Sequence, residues 1–288
     1  MVSPWVVIFI LLGIIPLVWG FYLSLTNYSG FNFDQLRFLG AFNYESALQD
    51  SAARTALLQT VLIVVIYVPL NTALGLVLAL LMNTPIHARG VFRTIFYLPA
   101  IVPTIVTGLM WQTIFAYRGG LLNQFLAALR LSPIDWEGYR YARLSLLILL
   151  LWGAGGTLLI NLAGLRAIPR SLYEAAEIDG ANAFRRLMRI TIPLLTPVLL
   201  FNVIMGVIGS FQIFVQPILL TPGSNGLTSV PINPIYLYLN YSWIQLFSYN
   251  AFGYGLALLW ILFLFILILT ILLMFSSRYW VYSEVSDR

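Results

Sequence analysis

The chain has 288 residues, 60% of them hydrophobic and 9% charged, with a mean hydropathy of +0.91. That composition excludes a soluble globular domain, and the absence of cysteine excludes a disulfide frame, an iron–sulfur cluster and a thiol nucleophile. The net charge of +5 is weak evidence for nucleic acid, since all fifteen basic residues are Arg and inner loops of membrane proteins collect Arg anyway.

Apolar runs longer than the ~18 residues that suggest a bilayer-spanning helix make this an all-α polytopic membrane protein. The runs are continuous rather than alternating, which rules out a transmembrane β-barrel. In chain order six transmembrane helices are expected, at 4–26, 56–82, 91–116, 143–165, 190–220 and 251–275, in a single domain over 1–288. The first run is longer than a signal-peptide core and lacks a small-residue cleavage site after it, so it reads as a retained anchor. Pro69, Pro99, Pro103, Pro193 and Pro197 fall in or at the ends of these runs, where kinks are expected. Arg89, Arg93, Arg166, Arg170, Arg185, Arg186, Arg189, Arg278 and Arg288 gather on the side that holds both termini, which makes that side cytoplasmic. On the other side, "GGLLNQFLAALRL" (119–131) has helical apolar spacing over too few residues to span. "INPIYLYLNYSWIQLFSY" (232–249) has the aromatic density of a headgroup boundary.

Between the fourth and fifth runs lies a polar island, "EAAEIDGANAFRRLMRITIPLLTP" (174–197). Burying Glu174, Glu177, Asp179, Arg185, Arg186 and Arg189 in hydrocarbon would cost about 2.5–3.5 kcal/mol each, roughly 15 kcal/mol in all, so the island belongs in cytoplasm. Ser171 followed by Glu174 reads as a capping box that opens a helix, and Gly180 ends or bends it. A second helix follows, with Phe184, Leu187 and Met188 on one side and Arg185 and Arg189 on another. Residues 170–189 therefore form a helix–Gly–helix between two spans.

This stretch resembles the cytoplasmic signature of permease subunits in binding-protein-dependent ABC importers, EAA–two residues–DGA–eight residues–I–x–LP. Glu174, Ala175, Ala176, Asp179, Gly180, Ala181, Ile190 and Pro193 match it, while Ile192 replaces the usual Leu and Leu187 the usual Phe. "LAGLRAIPRSLYEAA", "NTPIHARGVFRTIFYLPAIVP" and "GSFQIFVQPILLTPG" resemble the carbohydrate-importing branch, and within it the first permease subunits of maltose and glycerol-phosphate type. The resemblance implies that Glu174, Ala175, Ala176, Asp179, Gly180 and Ala181 couple the bundle to a separate ATPase. It also implies partners: a second permease subunit, two nucleotide-binding ATPase subunits and an extracytoplasmic solute-binding protein, in a bacterial inner membrane. The ATPases would bind ATP and Mg, leaving this chain without a cofactor.

Residue chemistry agrees on the motor. A P-loop needs a Lys to reach the phosphates, and this chain has none. The interiors of the six runs carry no Asp, Glu, His or Arg to serve as an ion relay, which disfavours an ion-coupled carrier and leaves an uncharged facilitator open. The lone His87 and the lack of an HExxH pattern or intramembrane carboxylate pair give an enzyme no catalytic or metal site. A sugar crossing the bundle needs hydrogen-bonding and aromatic side chains with few charges. Trp152, Gly153, Gly156, Ser210, Phe211, Gln212 and Gln216 are the candidates for that path, with Thr107, Trp111, Gln112, Asn202 and Tyr254 as further polar or aromatic positions. Helix packing uses the same residue types, so each of them has a structural reading beside the functional one. Carbohydrate, as a disaccharide or oligosaccharide, is the expected solute, and glycerol-phosphate or another small solute is the alternative.

Overall fold

The computed structural model describes residues 3–31, 33–84, 87–224 and 226–282. Thirteen helices organise it: α1 (Pro4–Ser24), α2 (Phe42–Gln49), α3 (Ser51–Asn83), α4 (Arg89–Ile101), α5 (Thr104–Phe115), α6 (Leu121–Ala128) and α7 (Ala142–Trp152) come first. They are followed by α8 (Gly155–Ala167), α9 (Arg170–Ile178), α10 (Ala183–Ser210), α11 (Val215–Leu219), α12 (Tyr238–Phe247) and α13 (Phe252–Trp280). The described residues contain no strand beyond one isolated bridge, Thr26 to Phe38. The all-α membrane class is therefore correct.

The expected spans fare unequally. Four helices, α1, α3, α10 and α13, are long and apolar enough to cross a membrane unaided. The third expected span, 91–116, is not one rod: α4 and α5 meet at 100°. Pro103 forces Val102 into extended backbone (φ −66°, ψ 131°), and the helix ends there. The fourth, 143–165, bends by 45° where Gly153 and Ala154 close tight i→i−3 bonds onto Leu150 and Leu151. The fifth, expected at 190–220, begins seven residues earlier at Ala183 and stops at Ser210. Pro217 cannot donate to residue 213, so helix resumes as α11, where Pro217 occupies a first-turn position whose N–H would be unpaired in any case.

The chain clusters into two compact units, one built from residues up to Val61 with Phe211–Leu267 and the other from Leu62–Ser210 with residues from Ile268 on. In the first, Asp50 is the hub. Its Oδ1 accepts the N–H groups of Ala52 (2.8 Å) and Ala53 (3.3 Å), capping α3, while its Oδ2 accepts the hydroxyls of Tyr241 and Tyr254, the latter at 2.6 Å. Burial alone would raise the Asp50 carboxyl, but the bonds from the two tyrosines and two amides outweigh it and hold its pKa below the usual carboxylate range. Nearby, Asn43 Nδ2 donates to the carbonyls of Ser24 and Thr26, both at 2.8 Å, and closes the C-terminal end of α1.

In the second unit, Ala79 and Met82 of α3, Leu158, Leu162 and Leu165 of α8, Ile168 just after α8, and Leu195 of α10 form a buried core. Small residues bring these helices together: a Cβ on Gly75 would stand 2.6 Å from Thr157, and one on Gly155 would stand 2.2 Å from the Phe96 carbonyl oxygen of α4.

Candidate functional site

The polar island is built as a rigid joint. Helix α9 opens at Arg170 with Pro169 in the N-cap position (φ −59°), so Ser171 lies inside the first turn and the expected capping box does not form. Proline explains the shift, because its fixed φ suits a helix start and it has no N–H to satisfy. At the other end Gly180 adopts φ +71°, its N–H bonding Glu177 O (3.0 Å) while Ala181 N–H bonds Ala176 O (2.9 Å). This pair of bonds is a Schellman closure, which needs a left-handed residue at its turn and takes glycine there at no steric cost. Two residues later Asn182 Oδ1 accepts the Arg185 N–H at 2.8 Å and caps α10.

Three further features fix the angle. Arg186 pairs with Glu177 across the turn, an exposed pair worth at most a modest contribution. Tyr173 Oη shares a hydrogen bond with Thr191 Oγ1 at 3.0 Å and packs on the Leu158–Leu162–Leu195 core, tying α9 to the interior. Residues Leu187–Thr191 make a π turn immediately before Pro193, which cannot donate to Arg189 O in a regular helix. The outer surface stays uncovered: Glu174, Ala175, Asp179 and Gly180 are exposed, Ala176 and Ala181 half-exposed, and Ile178 and Phe184 are 87% and 67% exposed. The short α9 and the first turns of the long α10 thus present large apolar side chains among carboxylates.

The path candidates separate by environment. Trp152 ends α7 and meets Trp111 edge-on at 6.1 Å, within a row that continues through Phe115 and Trp136. Gly153 caps α7, and a Cβ on Gly156 would meet nothing within 4 Å, so Gly156 faces open space. Ser210 is buried with its hydroxyl bonded to Gly206 O (2.5 Å), and Phe211 is buried edge-on against Phe265 (5.4 Å). Gln212 is exposed and Gln216 half-buried. Thr107 is buried, Trp111 and Gln112 are half-buried, and Tyr254 is bound to Asp50.

Asn202 is held within the second unit: its Nδ2 donates to Asn161 Oδ1 at 2.8 Å, with both residues buried. One turn back, Thr157 Oγ1 accepts from Asn71 Nδ2 at 3.0 Å, so a polar seam joins α3, α8 and α10. Removing one amide should therefore destabilise more than removing both. Asn202→Leu should lose about 1–2 kcal/mol against unfolding in detergent, and Asn161→Leu with Asn202→Leu should recover much of it. Equal losses in the single and double variants would refute the pairing.

Sequence reading missed Tyr173, Asn182, Asn161 and Asp50. Asn182 had a signal, a capping residue type directly before a helical run. Asn161 and Tyr173 had none, since their partners lie 41 and 18 residues away.

Comparison with known proteins supplies the family. Residues 71–282 match the model of the binding-protein-dependent transport system inner membrane component. A probable ABC transporter permease protein, YesP of Bacillus subtilis, is 31% identical over 99% of this chain and 92% of its own length. The trehalose/maltose transport system permease protein MalF of Thermococcus litoralis is 35% identical over 89% of this chain and 84% of its own. A crystal structure of a bacterial ABC transporter involved in import of the acidic polysaccharide alginate shares the fold, with TM-score 0.82 over 96% of this chain and 92% of that one at 18% identity. With that family match laid over an exposed, glycine-jointed helix pair, the chain belongs to the binding-protein-dependent transport system inner membrane components, the permeases of ABC transporters.

Proposed function

We propose that this chain is one permease subunit of an ATP-driven importer of a disaccharide or oligosaccharide. The observation that carries the reading is the Gly180 joint, which holds Glu174–Ala181 exposed and stiff on the core of a chain that has no Lys for a P-loop. Two separate ATPase subunits bind ATP and Mg, and one of them engages this segment. Ile178 and Phe184 fill apolar recesses of that partner, and the small Ala175 and Ala176 permit close approach. A second permease subunit completes the path, and an extracytoplasmic solute-binding protein delivers the sugar. Both termini and residues 170–189 face the cytoplasm, in keeping with the Arg distribution. Support for carbohydrate comes from relatives named for trehalose/maltose, arabinooligosaccharides and lactose. The residues proposed to meet the solute are Trp152, Gly153, Gly156, Gln212 and Gln216, whereas Ser210 and Phe211 would first have to be uncovered.

Purification of the assembled complex followed by mass spectrometry of its bound solute tests the reading directly. A neutral sugar should be recovered, and liposomes containing the complex and its receptor should take it up only with ATP inside. Transport by this chain alone would refute an external motor.

A further inference from the structure

A cavity in the first unit shares no residue with the helix–Gly–helix or with the path candidates. It lies at the N-terminal end of α3, has a volume of about 430 Å³, and is lined by Ser51, Ala52, Thr55 and Ala56 on one side and by Val230, Pro231, Asn233 and Tyr236 on the other. That volume lies within the ~300–1,000 Å³ range of small-molecule sites.

Its walls are held in place before any ligand arrives. The floor is the first turn of α3, capped by Asp50. The opposing wall contains the tight turn Asn233–Ile235 with Pro231 and Pro234, and is tied down by Tyr238 N–H donating to Thr60 Oγ1 at 2.8 Å. The Tyr236 ring packs edge-on against Tyr241 at 5.9 Å, and Tyr241 is itself bonded to Asp50. Fixed walls reduce the ordering penalty of binding.

The lining selects for a neutral ligand. No lining residue carries a formal charge. Asp50, adjacent in sequence to Ser51, is already engaged by two amides and two phenols, so it offers a cation little and would repel an anion. What remains is the Ser51 hydroxyl, the Thr55 oxygen as an acceptor because its proton already goes to Ser51 O (2.8 Å), a carboxamide that both donates and accepts, and an aromatic ring, all set in a mainly apolar wall of Ala52, Ala56, Val230 and Pro231. This is the complement of a polyhydroxylated ring with polar edges and apolar faces. A docking peptide would instead want backbone N–H groups to pair with, and Pro231 and Pro234 remove two of them from the wall.

We infer that this pocket is a carbohydrate subsite, holding a mono- or disaccharide at the end of α3 that the Arg distribution assigns to the outside. The inference rests on the carbohydrate reading above and adds a binding position outside the transmembrane path.

The test uses the complete complex in lipid nanodiscs and proteoliposomes, with maltose and trehalose as probes. Hydrogen exchange should slow in residues 51–56 and 229–236 on addition of the transported sugar. Asn233→Leu and Thr55→Val should abolish that protection and raise the KM for uptake about fivefold each, with kcat and basal ATPase changed by less than about twofold. Unchanged basal ATPase also shows that the variants are folded and assembled. Normal wild-type uptake with no protection at these residues and no KM change in either variant overturns the subsite and leaves the importer reading standing. Protection produced by the unloaded receptor protein and not by sugar also overturns it, and assigns the pocket to a protein contact. A wild-type complex that neither binds nor transports either sugar overturns the subsite and the carbohydrate reading together.

Discussion

A Gly180→Pro variant is expected to insert and assemble normally and to lose coupled transport. Gly180 sits at φ +71°, and a Cβ there would meet nothing within 4 Å, so the whole penalty of substitution lies in the backbone. Proline fixes φ near −65°, removes the N–H that bonds Glu177 O, and disfavours the helical geometry of Asp179 before it. A penalty of ~3 kcal/mol or more lowers the population of the native joint about a hundredfold. ATP hydrolysis by the partner subunits should persist while uptake falls to background. Graded controls make the cause legible: Gly180→Ala should carry the ~1–2 kcal/mol of a left-handed L-residue, and Gly180→Asn should stay nearest to wild type because Asn visits that region. Measurement of hydrolysis and uptake on the same proteoliposomes decides it. Normal uptake in the proline variant, or an Asn variant as impaired as the proline one, would remove the joint from the mechanism.

The second large effect concerns packing and comes as a matched pair. Gly155→Ala should destabilise by about 1–3 kcal/mol, because its Cβ would lie 2.2 Å from the Phe96 carbonyl oxygen and 2.8 Å from Tyr97 Cα. Both obstacles are backbone atoms of α4, so relief requires the helices to separate. Gly156→Ala, one residue on, should change unfolding by no more than about 0.5 kcal/mol, since its Cβ enters open space. Thermal unfolding of the two variants in the same detergent distinguishes a close-approach glycine from one facing open space. Equal stability of the two would show that α4 and α8 do not meet at Gly155.

Broken spans mark the limit of reading hydropathy. Residues 91–116 and 143–165 have the length and composition of crossings, and they carry Pro103 and Gly153 at the points where the helices bend. The sequence locates these weak points, but the angle depends on which neighbours satisfy the freed backbone groups. The same holds for the capping box that Ser171 does not make. Ser171, Glu174 and Pro169 are all compatible with a helix start, and the choice among competing caps fell to the proline.

From the residues alone come the membrane class, the exclusion from hydrocarbon of an island too ionic to be buried there, the glycine hinge inside it, and the lack of a P-loop lysine. Each follows from composition or from a local backbone requirement, and neither needs a distant partner. Only the tertiary structure decided that Asn202 serves Asn161 rather than open space, that Ser210 and Phe211 are covered while Gly156 is not, and that Asp50 gathers α3, α12 and α13. The physical reason is that burial and polar pairing are set by what packs against a residue across the fold, and those neighbours lie far away in the chain.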